Sequence, residues 1–186
     1  MKFDLQYDNK GLHIAEKGNV MKNPINTIIR RFQTADACEL SAMIATTLRE
    51  VNSRDYTPDQ IEALVASLSP EVITARAEQG HMYVVCDDEK IIGTGCIAGY
   101  WGSTTESILL TIFVHPAYHG QGVGRSIIET LEQDTYFLRA SRIEIPASIT
   151  AVEFYRKMGY DYKNGIRQLD EEHTYRLEKF HTPTAL

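Results

Sequence analysis

Between a β-rich run that ends at Val114 and a helical period that begins at Val123, the chain reads His115-Pro116-Ala117-Tyr118-His119-Gly120-Gln121-Gly122-Val123-Gly124-Arg125-Ser126. Ser107 to Val114 is rich in β-branched and apolar residues, as in a strand, whereas Val123, Ile127 and Leu131 recur every four residues, as on one face of a helix. A strand, a tight turn and a helix in immediate succession commit this stretch to an α/β layer arrangement. The alternating glycines Gly120, Gly122 and Gly124 carry no Cβ, so the main chain can curl and turn its N–H groups inward. The first N–H groups of the following helix have no intrahelical partner. Together these donors form a cradle for an anion, and the helix dipole adds about 0.3–1 kcal/mol per charge, about 2 kcal/mol where the charge is partly buried. The same spacing also suits a tight turn that binds nothing. A nucleotide P-loop is excluded, since it needs Lys followed by Ser or Thr after a longer glycine gap; a dinucleotide fingerprint needs GxGxxG near the start of a βαβ unit, and here GxGxG lies late.

The rest of the chain reads as one α/β domain, residues 25–186, behind an extension, residues 1–24, that has no sustained period and suits a short hairpin or a partner-binding arm. A length of 186 residues is that of one domain able to bury its own core. Asn26 to Phe32 is β-rich. Asp36 with Glu39 resembles a capping box opening a helix whose stripe is Ala37, Leu40, Ile44, Leu48 and Val51. Thr57-Pro58-Asp59-Gln60 opens a second helix and Ser69-Pro70-Glu71 a third, ending at Gly80 in the left-handed terminating conformation. His81 to Cys86 and Lys90 to Ala98 form an antiparallel hairpin about Asp87-Asp88-Glu89. A short strand at Arg142 to Ile145, a helix at Ala151 to Met158 and strands near Tyr160 to Lys163 and Glu172 to Lys179 follow, the last two offering an edge for a homodimer.

Composition removes several classes of function. A net charge of −6 without a dense Lys/Arg block argues against nucleic acid as a partner. Cys38, Cys86 and Cys96 make neither a disulfide framework nor a zinc site, which fits a reducing, cytoplasmic setting. His115 and His119 stand four apart, but Pro116 and Gly120 interrupt any helix that would align them, so no metal is expected. The polar N-terminus and the lack of a long apolar run predict neither a secretory signal nor a membrane helix.

The stretch V-H-P-x-x-H-G-Q-G-V-G-R, followed some thirty residues later by A-x-E-F-Y-R-K-M-G-Y, resembles the two signature stretches of the GNAT acetyltransferase superfamily, in the same order. The resemblance covers roughly residues 26 to 180. It implies a mixed, mostly antiparallel central sheet flanked by helices, with two strands splayed to form a cofactor cleft. It implies that His119, Gly120, Gln121, Gly122, Val123, Gly124, Arg125 and Ser126 hold the pyrophosphate of acetyl-CoA, and that the main chain of Ile112, Phe113 and Val114 pairs with its pantetheine arm. Two positions depart from the family pattern. His119 stands where Arg or Gln is usual, and Ser148 where an asparagine is common.

Tyr155 occupies the position of a family tyrosine beside the cofactor sulfur, which implies cofactor contact and a general-acid role toward the thiolate. With reference pKa values of about 10 and about 8.5, full proton transfer from phenol to thiolate is uphill by roughly 2 kcal/mol, so a strong hydrogen bond or a late transfer is expected. An amine attacks only when neutral. At pH 7 a lysine side chain pays about 4–5 kcal/mol to deprotonate and an α-amino group about 1 kcal/mol. The position aligned with a family glutamate base is Ile108, leaving Glu106 and His115 as candidate bases, each equally readable as an ordinary solvated side chain. Tyr56, Tyr100 and Trp101 suit either an acceptor pocket or the core. The resemblance therefore implies acetyl transfer to the amine of a small molecule, a peptide or a protein by direct attack in a ternary complex. The alternative is a GNAT-like domain that binds an acyl-CoA as a sensor or interaction module.

Overall fold

In the N-terminal stretch of the computed structural model, β1 (Leu5–Asp8) pairs antiparallel with β2 (Gly11–Ile14); the model describes residues 5–8, 11–14 and 27–183. The rest of the extension expected over residues 1–24, with its partner-arm reading, lies outside the described residues. From residue 27 onward the chain builds a seven-stranded sheet in the order β3-β4-β5-β6-β7-β9-β8. Its strands are β3 (Thr27–Arg31), β4 (Gly80–Asp87), β5 (Lys90–Gly99), β6 (Glu106–Val114), β7 (Arg142–Ala147), β8 (Asp161–Tyr162) and β9 (Tyr175–Phe180). Every pairing is antiparallel except β6 with β7. The expected mixed, mostly antiparallel sheet flanked by helices is thus the observed one. β9 lies between β7 and β8, so of the two terminal strands only the two-residue β8 forms an edge.

Helices cover both faces. On one face α1 (Ala37–Val51), α2 (Pro58–Ala66) and α3 (Pro70–Gln79) bury Leu40, Ile44, Leu48, Ile61 and Ile73 against Met82, Val84 and Cys96. On the other face α4 (Val123–Glu132), α5 (Thr135–Leu138) and α6 (Val152–Lys157) bury Ile127, Leu131, Phe137 and Tyr155 against Ile97, Leu109, Ile143 and Leu177. The stripe read from the sequence of α1 is the buried one, except that Val51 is only half-buried.

Local signals hold where the contacts are local. At α2 the reciprocal box forms, with the Gln60 N–H donating to Thr57 Oγ1 at 3.3 Å and the Thr57 N–H to Gln60 Oε1 at 2.9 Å. At α1 the expected box does not form. The Asp36 carboxylate instead takes both arms of Arg30, at 2.7 and 2.8 Å, and the Gln33 N–H, while Glu39 accepts the Ile91 N–H at 2.8 Å. Both carboxylates thereby tie the helix start to the sheet. Gly80 corrects the sequence reading as well: its φ of −154° is extended, not left-handed, and it begins β4. Glycine is required there because a Cβ would lie 2.6 Å from the Ile97 carbonyl oxygen. The short helix α5 was not anticipated, although Asp134 caps it in the ordinary way by accepting the Tyr136 N–H at 2.8 Å.

The helix after the glycine turn sits unusually close to the sheet. A Cβ on Gly95, in β5, would lie 2.5 Å from Ile127 Cγ2 and 2.9 Å from Leu131 Cδ1 of α4. Replacing Gly95 by alanine forces α4 outward, and overpacking of this kind costs about 1–3 kcal/mol. In urea denaturation, Gly95→Ala is expected to lower the midpoint at an unchanged m-value.

Candidate functional site

β6 and β7 run side by side for only three pairs, Glu106↔Arg142, Ser107↔Ile143 and Ile108↔Glu144, and then part. From Leu109 to Val114 the edge of β6 that faced β7 has no strand partner among the described residues. Along its other edge β6 pairs with β5, but the register slips, with Cys96 opposite Leu110 and Thr94 opposite Phe113. Gly95 therefore faces both Thr111 and Ile112, the two-against-one count of a β-bulge. Thr111 takes a φ of +52°, rare for a β-branched residue. The splayed strands expected from the resemblance are present, and the bulge lies within the splayed part.

The glycine turn stands at the open end of this gap. Gly120 (φ +72°) and Gly122 (φ +89°) occupy the left-handed region, and at either a Cβ would meet nothing within 4 Å. Gly124 serves a different purpose. A Cβ there would lie 3.2 Å from Phe154 Cζ, so its absence lets α4 approach α6. Among the described residues, the first main-chain N–H after the turn with an acceptor is that of Ser126, which donates to the Gly122 oxygen at 3.0 Å; the N–H groups of Gly120 to Arg125 have none. The turn thus offers a row of free donors at a helix start, the arrangement that holds oxyanions.

His119 does not reach into that cradle. Its Nε2 donates to the Val114 carbonyl at 2.8 Å, and the same oxygen accepts from Thr47 Oγ1 at 3.3 Å. Both lone pairs of Val114 are taken, so the free strand edge is that of Leu109 to Phe113. Arg125 is exposed and lies 3.9 Å from Glu129. Ser148, directly after β7, starts the turn that leads into α6.

Tyr155, on α6, is buried, with its ring 5.2 Å from that of Phe154, the residue touched by Gly124. The turn and the splayed strands thus share one gap, and Tyr155 lies in the core on the face that α4 and α6 cover. Burial pushes the phenol well above its ordinary pKa, so the proton stays on at neutral pH. The two candidate bases are engaged elsewhere. Glu106, at the closed end of the gap, receives Arg142 Nε at 3.1 Å and Nη2 at 2.9 Å, and this pairing holds its carboxyl below the usual range. His115 accepts the Ala117 N–H on Nδ1 at 3.2 Å, while burial and then the Lys90 charge lower its pKa. In the neutral ring Nε2 then carries the proton, leaving no free lone pair for a base.

Arg142 belongs to a network that the sequence did not reveal. Besides Glu106 it pairs with Glu144 at 2.7 Å and Glu178 at 3.4 Å, and the buried Glu144 also receives Lys163 at 2.8 Å. Tyr56, one of the residues read as pocket or core, is buried; its hydroxyl donates to the His173 carbonyl at 2.9 Å and accepts the Ile149 N–H at 3.3 Å. Trp101 is exposed and packs edge-on against Tyr100. Among the described residues there is no group of three His, Cys, Asp or Glu able to hold a metal ion, and no helix is long and apolar enough to cross a membrane.

Residues 52–171 match the family model described as an acetyltransferase (GNAT) domain. The GCN5-related N-acetyltransferase from Rhodopseudomonas palustris has a similar structure, with a TM-score of 0.69 at 23% identity, over 88% of this chain and 99% of that one. The PaiA N-acetyltransferase from Thermoplasma acidophilum, solved in complex with coenzyme A, gives 0.71 at 16% identity over 84% and 99%. Ard1 from Thermoplasma volcanium gives 0.58 at 17% identity over 83% and 97%. No curated protein matches the chain by sequence.

The Glu106–Arg142 pair yields a stability prediction with a definite sign. The folded-state pKa of Glu106 is depressed, so its contribution is present above the unfolded carboxylate pKa and is lost as pH falls through the folded value. Glu106→Gln should therefore melt below wild type at pH 7, and the gap should close on acidification. Thermal unfolding across that range checks both the sign and the window.

Proposed function

The chain belongs to the GNAT acetyltransferase family, and from that premise we propose that it moves an acetyl group from acetyl-CoA to an amine by direct attack within a ternary complex. One observation carries the proposal: a row of free main-chain donors in the glycine turn stands at the mouth of a gap between two parted strands. The cofactor fits these residues. A pyrophosphate needs several convergent N–H donors and no Cβ in the way, and Gly120 to Arg125 supply the first while Gly120 and Gly122 satisfy the second. The coenzyme A complex of the similarly folded PaiA protein is in keeping with this reading.

When bound, acetyl-CoA supplies an activated acyl group as a thioester. In this reading the turn anchors the pyrophosphate, and the unpaired edge of β6, from Leu109 to Phe113, receives the pantetheine amides as a missing strand would. The main chain at the Thr111–Ile112 bulge then offers N–H donors to the thioester carbonyl, where negative charge grows during attack. Tyr155 keeps its proton and hydrogen-bonds the departing sulfur. Ser148 borders the same gap. Since Glu106 is held ionised by Arg142 and His115 Nδ1 is occupied, neither deprotonates the acceptor well. That favours an acceptor whose amine is neutral at modest cost, an α-amino group of a small molecule or peptide before a lysine side chain.

In calorimetric titrations acetyl-CoA and desulfo-CoA should bind and ATP should not, and Gly122→Trp, which fills the cradle, should weaken CoA binding by roughly 100-fold or more. A folded wild type that binds no CoA ligand sinks the proposal; binding without turnover on a broad amine panel replaces it with the acyl-CoA sensor. Tyr155→Phe should lower kcat by about tenfold or more, the low end of acid–base effects, with acetyl-CoA affinity unchanged. Equal turnover removes Tyr155 from the mechanism. The rate on an α-amine should also rise with pH until that amine is deprotonated, a profile set by the acceptor and shared by Glu106→Gln.

A further inference from the structure

Thr111 is a β-branched residue held at φ +52° in the middle of a strand, a conformation that costs about 1–3 kcal/mol and persists only where its surroundings enforce it. One side chain grips it. Arg76, half-buried near the end of α3, donates from Nη1 to Thr111 Oγ1 at 2.6 Å. α3 otherwise packs against α1 and β4, two strands away from β6, so the guanidinium reaches across the sheet face to make this contact. Cys96 lies on that path, opposite Leu110 at one end of the bulge, close enough to feel the Arg76 charge. Among the described residues no carboxylate pairs with Arg76, and its guanidinium makes one side-chain hydrogen bond, that to Thr111.

We propose that Arg76 is a positioning residue for acyl transfer: by gripping Thr111 it keeps the Thr111–Ile112 main chain turned toward the gap where the thioester carbonyl is received. The inference rests on the reading of that gap as the acetyl-CoA site. Without the grip, Thr111 relaxes toward the extended conformation that β-branched residues prefer. The strand cannot then simply slide into regular pairing, because a one-residue shift would exchange the faces of Ile112, Phe113 and Val114 between the two cores. Relaxation is confined to the peptide units around Thr111, which lose their aim while the fold and the pyrophosphate turn stay in place.

Ligand binding tests this without an acceptor. Acetyl-CoA and S-ethyl-CoA differ at the acyl group by the carbonyl oxygen, and both are titrated into wild type, Arg76→Met, Arg76→Lys and Thr111→Val. Wild type should prefer acetyl-CoA by roughly five- to tenfold, the worth of one hydrogen bond, and Arg76→Met should bring the preference to about twofold or less with S-ethyl-CoA affinity unchanged. Arg76→Lys, which keeps a donor, should retain part of the preference. Thr111→Val reads the same contact from its other end should Arg76→Met fail to fold. In parallel, the infrared carbonyl band of bound carbon-13-labelled acetyl-CoA should shift toward its free position in Arg76→Met, which general loosening of the fold would not produce. A preference unchanged in Arg76→Met and Thr111→Val overturns the role of Arg76 and leaves the cofactor site standing. Equal weakening of both ligands makes Arg76 a structural residue and also overturns it. A wild type that binds neither ligand overturns the cofactor site itself.

Discussion

Main-chain N–H and C=O groups must find partners, and a strand that parts from its neighbour inside a sheet leaves a row of them facing a gap. β6 does this twice within nine residues, losing β7 after Ile108 on one side and slipping against β5 at Thr111 and Ile112 on the other. The surroundings are arranged about that interruption. Close packing on Gly95 sets α4 against β5, and Gly124 lets the same helix touch Phe154 of α6. The glycine turn is thereby held at the open end of the gap, with Tyr155 in the core that α4 and α6 cover. A ligand with amides along its length and a diphosphate at one end meets both unmet needs, those of the strand edge and those of the helix start.

Where the decisive contacts are short-range, the residues announced the structure. The box at Thr57 and Gln60, the buried stripe of α1 and the strand-turn-helix at residues 107–131 follow from spacing alone. Asp36 was misread because Arg30, from the preceding strand, claims its carboxylate, and Gly80 because the cause of that glycine is a carbonyl on another strand. The engagement of Glu106 was hidden for the same reason, since Arg142 is far along the chain and meets it only through parallel pairing. The parting of β6 and β7 came from the family resemblance and not from periodicity, because register is a property of two strands together. The bulge did leave a trace. Glycine inside a strand marks a bulge or a close approach, and Gly95 is both.

An acidic chain that takes an anionic ligand needs its negative charge elsewhere or neutralised. Glu106, Glu144 and Glu178 gather at the closed end of the gap around Arg142, with Lys163 on Glu144; Asp170 and Glu172 pair with Arg176. At the open end the glycine turn carries a set of free N–H dipoles, and Arg125, in the first turn of α4, is exposed beside Glu129. With a screening length of about 8 Å at physiological salt, the local field there outweighs the net −6 of the chain. The buried Glu144 marks the last pair before the strands part. Taking that carboxylate out of water is costly, which makes the cluster a poor source of stability, and well-defined ionic contacts are better suited to fixing register.

Burial decides what Tyr155 can contribute. The desolvation that keeps its proton in place also weakens it as an acid, so outright transfer to a thiolate is steeper than the roughly 2 kcal/mol set by reference pKa values. In the proposed mechanism a hydrogen bond to sulfur is what remains to it, and with Glu106 and His115 committed to other partners the site holds no strong acid–base pair among its candidates. General acid–base catalysis supplies factors of about 10²–10⁴, whereas holding two reactants in attack geometry supplies about 7–11 kcal/mol. In the proposed reaction the larger share therefore falls to placement: the turn fixes one end of the cofactor, the open strand edge aligns its arm, and the strained main chain at Thr111 meets the carbonyl. A site of this kind tolerates a modest acid and an absent base, provided its backbone stays where the packing of α3, α4 and α6 puts it.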